Sequence, residues 1–136
     1  MTTLYVTTGG GHLAELLALE GLLPTDGDEL WLTHRTIQTE TALAGRQVIY
    51  VPYVRVKNVP DVLRCLPFAR ALFRDRDIKI AVSTGSSIAL GYLPYLAARG
   101  MDCHYVESAA RVNGPSLSGR LLRRVPGVQT YTQHAR

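Results

Sequence analysis

Leu4-Tyr5-Val6-Thr7-Thr8-Gly9-Gly10-Gly11-His12 decides how this chain is read. An uncharged run rich in β-branched and aromatic residues stops at three glycines. From His12 to Leu23 leucine then recurs at helical spacing (Leu13, Leu16, Leu17, Leu19, Leu22, Leu23) until Pro24. A buried strand that turns through glycine into a helix is the opening unit of a parallel α/β sheet. Parallel neighbours need a crossover, and the crossover is usually a helix.

The same alternation continues outward. Strands are expected at Glu29–His34, Gln47–Val51, Ile78–Ser83, Cys103–Val106 and Val128–Thr132. Helices are expected at Thr36–Ala44, Asp61–Arg76 (broken at Pro67), Ser87–Arg99 (kinked near Pro94) and Ser116–Arg124. Such a series implies an α/β, Rossmann-like domain with a parallel sheet of about six strands, order 3-2-1-4-5-6. Helices then cover both faces. Ligands in such sheets lie beyond the carboxyl ends of the strands, near the switch point between strands 1 and 4. The loops of interest are therefore Gly9–His12, Thr84–Ser87 and Glu107–Arg111.

A length of 136 residues fits one domain, 1–136, with room for a real core. Hydrophobic residues make up 46% and charged residues 19%, which excludes a disordered chain. The net charge of +4 suits anionic ligands or a membrane surface and is too small to require nucleic acid, and none is expected. Thirteen of the fifteen basic residues are arginine, whose planar donors suit phosphate or carboxylate. The longest uncharged apolar run, Ile88–Ala98, is well short of the roughly 20 residues of a spanning helix. No leader or anchor is expected. Cys65 and Cys103 have no metal spacing and read as core thiols in a reducing, cytoplasmic compartment. No metal site is expected.

Glycines at Gly9, Gly10 and Gly11 let backbone N–H groups approach a ligand, and the helix that follows presents its positive end. The alternative is a tight turn with no ligand. Gly9, Gly11 and Ala14 also fit G-x-G-x-x-[G/A], the dinucleotide fingerprint, but His34 and Arg35 stand where an acidic ribose partner belongs. Arg35 facing a 2′-phosphate would make this a stand-alone NADP-binding domain. His12, at the helix start, either accepts a hydroxyl proton or merely begins the helix. Thr84-Gly85-Ser86-Ser87 repeats the small, hydroxyl-rich pattern, with Ser86 or Ser87 as a helix cap. Glu107, ending strand 5, is costly to desolvate unless paired with Arg111 or used on a sugar hydroxyl.

Thr7-Thr8-Gly9-Gly10-Gly11-His12, Phe68-Ala69-Arg70-Ala71-Leu72-Phe73-Arg74, Ile80-Ala81-Val82-Ser83-Thr84-Gly85 and Tyr105-Val106-Glu107-Ser108-x-x-Arg111, in this order, resemble PssD-type polysaccharide biosynthesis subunits. They are similar to the anchor subunit of the dolichol-linked N-acetylglucosaminyltransferase and, more distantly, to the amino-terminal half of MurG-type family 28 glycosyltransferases. The resemblance implies the acceptor-side half of a split GT-B enzyme, completed by a partner subunit that binds the nucleotide-sugar. The acceptor would be a sugar on a polyprenyl (di)phosphate at the cytosolic face of the membrane. Transfer would invert the sugar carbon, with no metal and no cofactor. His12 and Glu107 match the family's histidine and acidic positions. Gly9, Gly10, Gly11, Thr84, Gly85, Ser86, Ser108 and Arg111 would line the substrate site. Two departures stand out. The amino-terminal membrane helix of the eukaryotic anchor subunits is not expected here, and His134 replaces the family aromatic after Gln133. A third outcome is a non-catalytic scaffold that recruits a transferase to the membrane.

Arg55, Lys57, Arg64, Arg70, Arg74 and Arg76 lie among Leu63, Leu66, Phe68, Leu72 and Phe73. One reading is an amphipathic helix whose apolar face covers the sheet. The other is a patch in peripheral contact with anionic lipid. Arg120, Arg123 and Arg124 form a second such cluster.

Overall fold

The computed structural model describes residues 2–9, 11–20, 28–55, 58–74, 76, 78–85, 87–106 and 117–131. Six strands, β1 (Thr2–Thr7), β2 (Asp28–Thr33), β3 (Val48–Tyr50), β4 (Ile78–Gly85), β5 (Asp102–Val106) and β6 (Val128–Tyr131), form one sheet in the order β3-β2-β1-β4-β5-β6. Every neighbouring pair is parallel. The helices are α1 (Gly11–Glu20), α2 (Ile37–Ala42), α3 (Val59–Phe73), α4 (Ser87–Ala98) and α5 (Leu117–Leu122).

Strand side chains alternate between the faces, and each face has its own core. Leu4, Val6, Leu30, Leu32, Ala81, Cys103 and Tyr105 pack with Cys65, Ala69 and Phe73 of α3 and with Ile88, Ala89, Tyr92, Leu93 and Leu96 of α4. On the opposite face Tyr5, Trp31 and Val82 meet Leu13 and Leu16 of α1, and Leu43 just after α2. The Tyr5 and Trp31 rings stack there at 4.7 Å. Each fully buried leucine or phenylalanine contributes about 1.5–3 kcal/mol. Both cysteines are buried free thiols. Burial pushes the Cys103 thiol up to about 12.

Several boundaries depart from the sequence reading. Helix α3 begins at Val59 because Asn58 caps it, its side chain accepting from the Asp61 N–H at 2.9 Å. Pro60 fits the first turn, where no intrahelical donor is needed. The helix is not broken at Pro67 and runs on to Phe73. Pro67 and Leu63, whose carbonyl loses its donor, both lie on the exposed side, where water can take the missing bond. Helix α4, by contrast, runs through Pro94 to Ala98, close to the bounds expected from the sequence. Strand β4 extends through Thr84 and Gly85, which sequence reading assigns to a loop, because Gly85 pairs with Thr7.

Leu63, Leu66 and Phe68 do not cover the sheet. Their exposures are 66%, 54% and 43%, and Val59 stands at 64%. The inward stripe of α3 is made instead of small residues, Cys65 and Ala69, together with Phe73. Small residues let α3 sit close to α4, and they leave the larger side chains facing out.

Candidate functional site

Helix α1 rises from the carboxyl end of β1, the central strand at the switch point of the sheet. Gly11 is its first residue and His12 its second. The register of β1 against β4 shifts between Val6, paired with Ser83, and Thr7, paired with Gly85. Thr84 is therefore the extra residue of a bulge, a device that re-aims a side chain out of the ladder. The fully buried Thr84 donates its hydroxyl to the His12 carbonyl at 2.6 Å. A carbonyl oxygen has two lone pairs, so this bond is compatible with the helical one.

The first two glycine-bearing segments thus meet, and the bond joins them at His12. The His12 side chain keeps 33% of its surface exposed, while its Nδ1 is buried with no hydrogen-bond partner among the described residues. Nδ1 stands 4.0 Å from the Glu15 Oε1, one turn along α1. Thr7 and Thr33 are also fully buried at this end of the sheet.

Gly9 lies against the start of α2. A Cβ there would lie 3.0 Å from the Gln38 Oε1 and 3.8 Å from the Thr36 Oγ1. Helix α2 is fixed by a capping box in which the Thr39 N–H donates to the Thr36 hydroxyl and the Thr36 N–H to the Thr39 hydroxyl. Gly9 therefore packs against α2, and the His12 backbone against β4. Beyond α2 the rim continues with His34, whose ring meets Tyr53 edge-on at 4.6 Å. Burial lowers the His34 imidazole below its ordinary value.

Arg35, which the sequence offers to a 2′-phosphate, is 61% exposed at its side chain. It is ion-paired with Glu40, and its guanidinium lies 4.1 Å over the Tyr50 ring. Gly10, Ser86, Glu107, Ser108, Arg111 and His134 lie outside the described residues. Sequence reading missed Glu15, Thr36 and Gln38. Glu15 was visible as the residue three places after His12. The approach of Thr36 and Gln38 to Gly9 carries no local signal.

A second feature lies on the face of α3. Arg55 clamps the buried carboxylate of Asp61 through its backbone N–H (3.0 Å), Nε (2.8 Å) and Nη2 (3.1 Å), and Arg64 approaches at 3.4 Å. The Arg55 hydrogen bonds hold the Asp61 carboxyl down to about 2. Beside this pair is a cavity of about 270 Å³ lined mainly by Tyr53, Val54, Cys65, Phe68 and Tyr92. Among the described residues no helix is long and apolar enough to cross a membrane, and no cluster of His, Cys, Asp or Glu could hold a metal.

No protein-family profile matches the sequence, and no curated protein does. A solved structure does match. MurG from Acinetobacter baumannii superposes with a TM-score of 0.65 at 14% identity, over 97% of this chain and 45% of MurG. The fold is the amino-terminal half of a GT-B fold. This chain, a GT-B half, spans less than half the length of the MurG chain it matches. The site around His12 and Thr84 occupies the position where an open α/β sheet of this order binds ligands.

Proposed function

We propose that this chain is the acceptor-binding subunit of a two-component inverting glycosyltransferase. It would act on a sugar carried by a polyprenyl (di)phosphate, with a partner subunit supplying the nucleotide-sugar. The observation that carries the reading is the Thr84–His12 bond, which holds a part-exposed imidazole at the start of α1 beside the switch point. The MurG-like fold supports the transferase part of the reading, and a GT-B half needs a second half to bind a donor.

In this reading the N-terminal end of α1 attracts the acceptor phosphate or sugar. His12 takes the proton of the attacking hydroxyl as its oxygen bonds to the anomeric carbon, and the nucleotide diphosphate leaves with the electron pair of the broken C–O bond. General-base help of this kind is typically worth 10²–10⁴-fold. Glu107 orients acceptor hydroxyls, and Arg111 holds either that carboxylate or the phosphate. The exposed Val59, Leu63, Leu66 and Phe68, flanked by the exposed Arg64 and Arg70, support contact with the membrane that carries the acceptor. Each arginine near an anionic surface adds about 1 kcal/mol.

The test is reconstitution. The chain is co-expressed with a donor-side GT-B subunit, and transfer from a UDP-sugar to a polyprenyl-diphosphate-linked sugar is followed. Transfer is expected only with both chains present. The same rate from the donor-side chain alone would overturn the reading.

A further inference from the structure

We infer that Glu15 is the positioning residue that sets the tautomer of His12 and turns its Nε2 into the proton acceptor. The inference rests on the reading of His12 as a base and adds a residue to it.

The argument begins with helical spacing. Residues three apart share one face of a helix, one turn above each other. In α1 this places Glu15 over His12, with the Glu15 Oε1 4.0 Å from the His12 Nδ1. Both atoms are cut off from solvent, whereas the two side chains keep 33% and 22% of their surfaces exposed. The buried edge of the imidazole is thus the Nδ1 edge, and the ring turns its other nitrogen away from the carboxylate.

A neutral imidazole carries its single proton on one nitrogen only. If that proton sat on Nε2, a buried Nδ1 lone pair would face a buried carboxylate oxygen, and the two would repel. With the proton on Nδ1, the same 4.0 Å approach becomes attractive. Catalytic hydrogen bonds are often long before substrate binds. The Nδ1–H form leaves the Nε2 lone pair pointing outward. When Nε2 takes a proton, the carboxylate also stabilises the imidazolium that forms, as the aspartate of a serine-protease triad does. Thr84 holds the His12 carbonyl, a backbone contact that fixes the residue without constraining which nitrogen bears the proton.

The test does not depend on turnover. Long-range ¹H–¹⁵N correlation spectra of the full chain at pH 8 report the tautomer of each histidine, and His12→Gln identifies the His12 signal by its loss. The wild type is expected to show the Nδ1–H form at His12, the reverse of the Nε2–H form that histidine favours in water. Glu15→Ala is expected to return it to Nε2–H. Should that variant fail to fold by circular dichroism, Glu15→Gln, of nearly the same shape, is expected to move the signal away from the Nδ1–H extreme. An Nε2–H form in the wild type, or a tautomer indifferent to Glu15, would overturn the inference.

In the reconstituted two-chain enzyme, Glu15→Gln is expected to lower kcat roughly tenfold or more with the acceptor KM unchanged. A fall in acceptor affinity with kcat intact would instead make Glu15 a binding residue and overturn the positioning role. Nδ1–H at His12 in a wild-type pair that transfers no sugar would support the Glu15 assignment while overturning the transferase reading, so the two failures are told apart.

Discussion

The hydroxyl of Thr84 and the carbonyl of His12, 72 residues apart in sequence, lie 2.6 Å from each other. This bond couples the bulge of β4 to the first turn of α1. It spans the crevice at which a sheet of this order binds ligands. The consequence is mechanical: the position of the His12 backbone is set by a strand on the far side of the switch point.

Removing that hydroxyl tests the coupling. Thr84→Val keeps the shape of the side chain and deletes the donor, at a net cost of about 0.5–1.5 kcal/mol for a typical hydrogen bond. Urea denaturation is expected to show a lower midpoint, while Thr84→Ser, which retains a donor, is expected to lose less. Equal stability of Thr84→Val and the wild type would mean that the bond contributes nothing to holding α1.

His12 separates catalysis from recruitment. In the reconstituted enzyme His12→Ala is expected to reduce turnover about 10²-fold or more, with the complex still assembled on size-exclusion chromatography. A scaffold that only recruits the transferase predicts unchanged turnover once the complex has formed.

The α3–α4 contact makes a prediction with no functional content. A Cβ on Gly91 would lie 2.4 Å from the Cys65 Sγ and 2.8 Å from the Cys65 Cβ. Alanine is intrinsically better than glycine inside a helix by about 1 kcal/mol. Overpacking of a tight core costs about 1–3 kcal/mol, and this clash is close enough to win. Gly91→Ala is expected to lower the thermal midpoint. Cys65→Ala in the same chain should recover only part of the loss, because the Cβ of residue 65 stays in the way. A double-mutant cycle in urea measures the coupling, and simple additivity would count against the contact.

Acid sensitivity is expected to come in part from Asp61. Its carboxyl sits near 3.8 when unfolded and about 2 in the fold, held there chiefly by the Arg55 hydrogen bonds. The folded value is depressed, so the stabilisation is fully present above about pH 4 and fades as the pH falls toward 2. Asp61→Asn removes this titration. Its urea midpoint should be lower than that of the wild type at pH 5 and should change less between pH 4 and pH 2. Parallel pH profiles for the two proteins would show that the clamp is not linked to stability.

Much of the architecture was legible in the chain. The strand-glycine-helix opening at Leu4–His12, repeated at Ile78–Ser87, was enough to give a parallel sheet, its strand order and the crevice at its switch point. Hydrophobic period and turn residues are local properties, and parallel crossovers have a fixed hand. The small-residue stripe of α3 was less readable. Leu63, Leu66 and Phe68 look like core residues by composition, and only the close approach of α4 at Gly91 shows that cysteine and alanine take the inner face.

The amino-acid sequence by itself determined which residue types stand at the ends of the central strands: three glycines and a histidine after β1, and Thr84 and Gly85 at the end of β4. Tertiary structure alone decided what those residues touch. The bulge that aims Thr84 at His12, the placement of Gln38 against Gly9 and the choice of Arg35 for Glu40 and Tyr50 all depend on pairings between distant segments. The physical reason is that secondary structure follows from short-range periodicity, whereas a site is made by register and packing, which exist only once the sheet has formed.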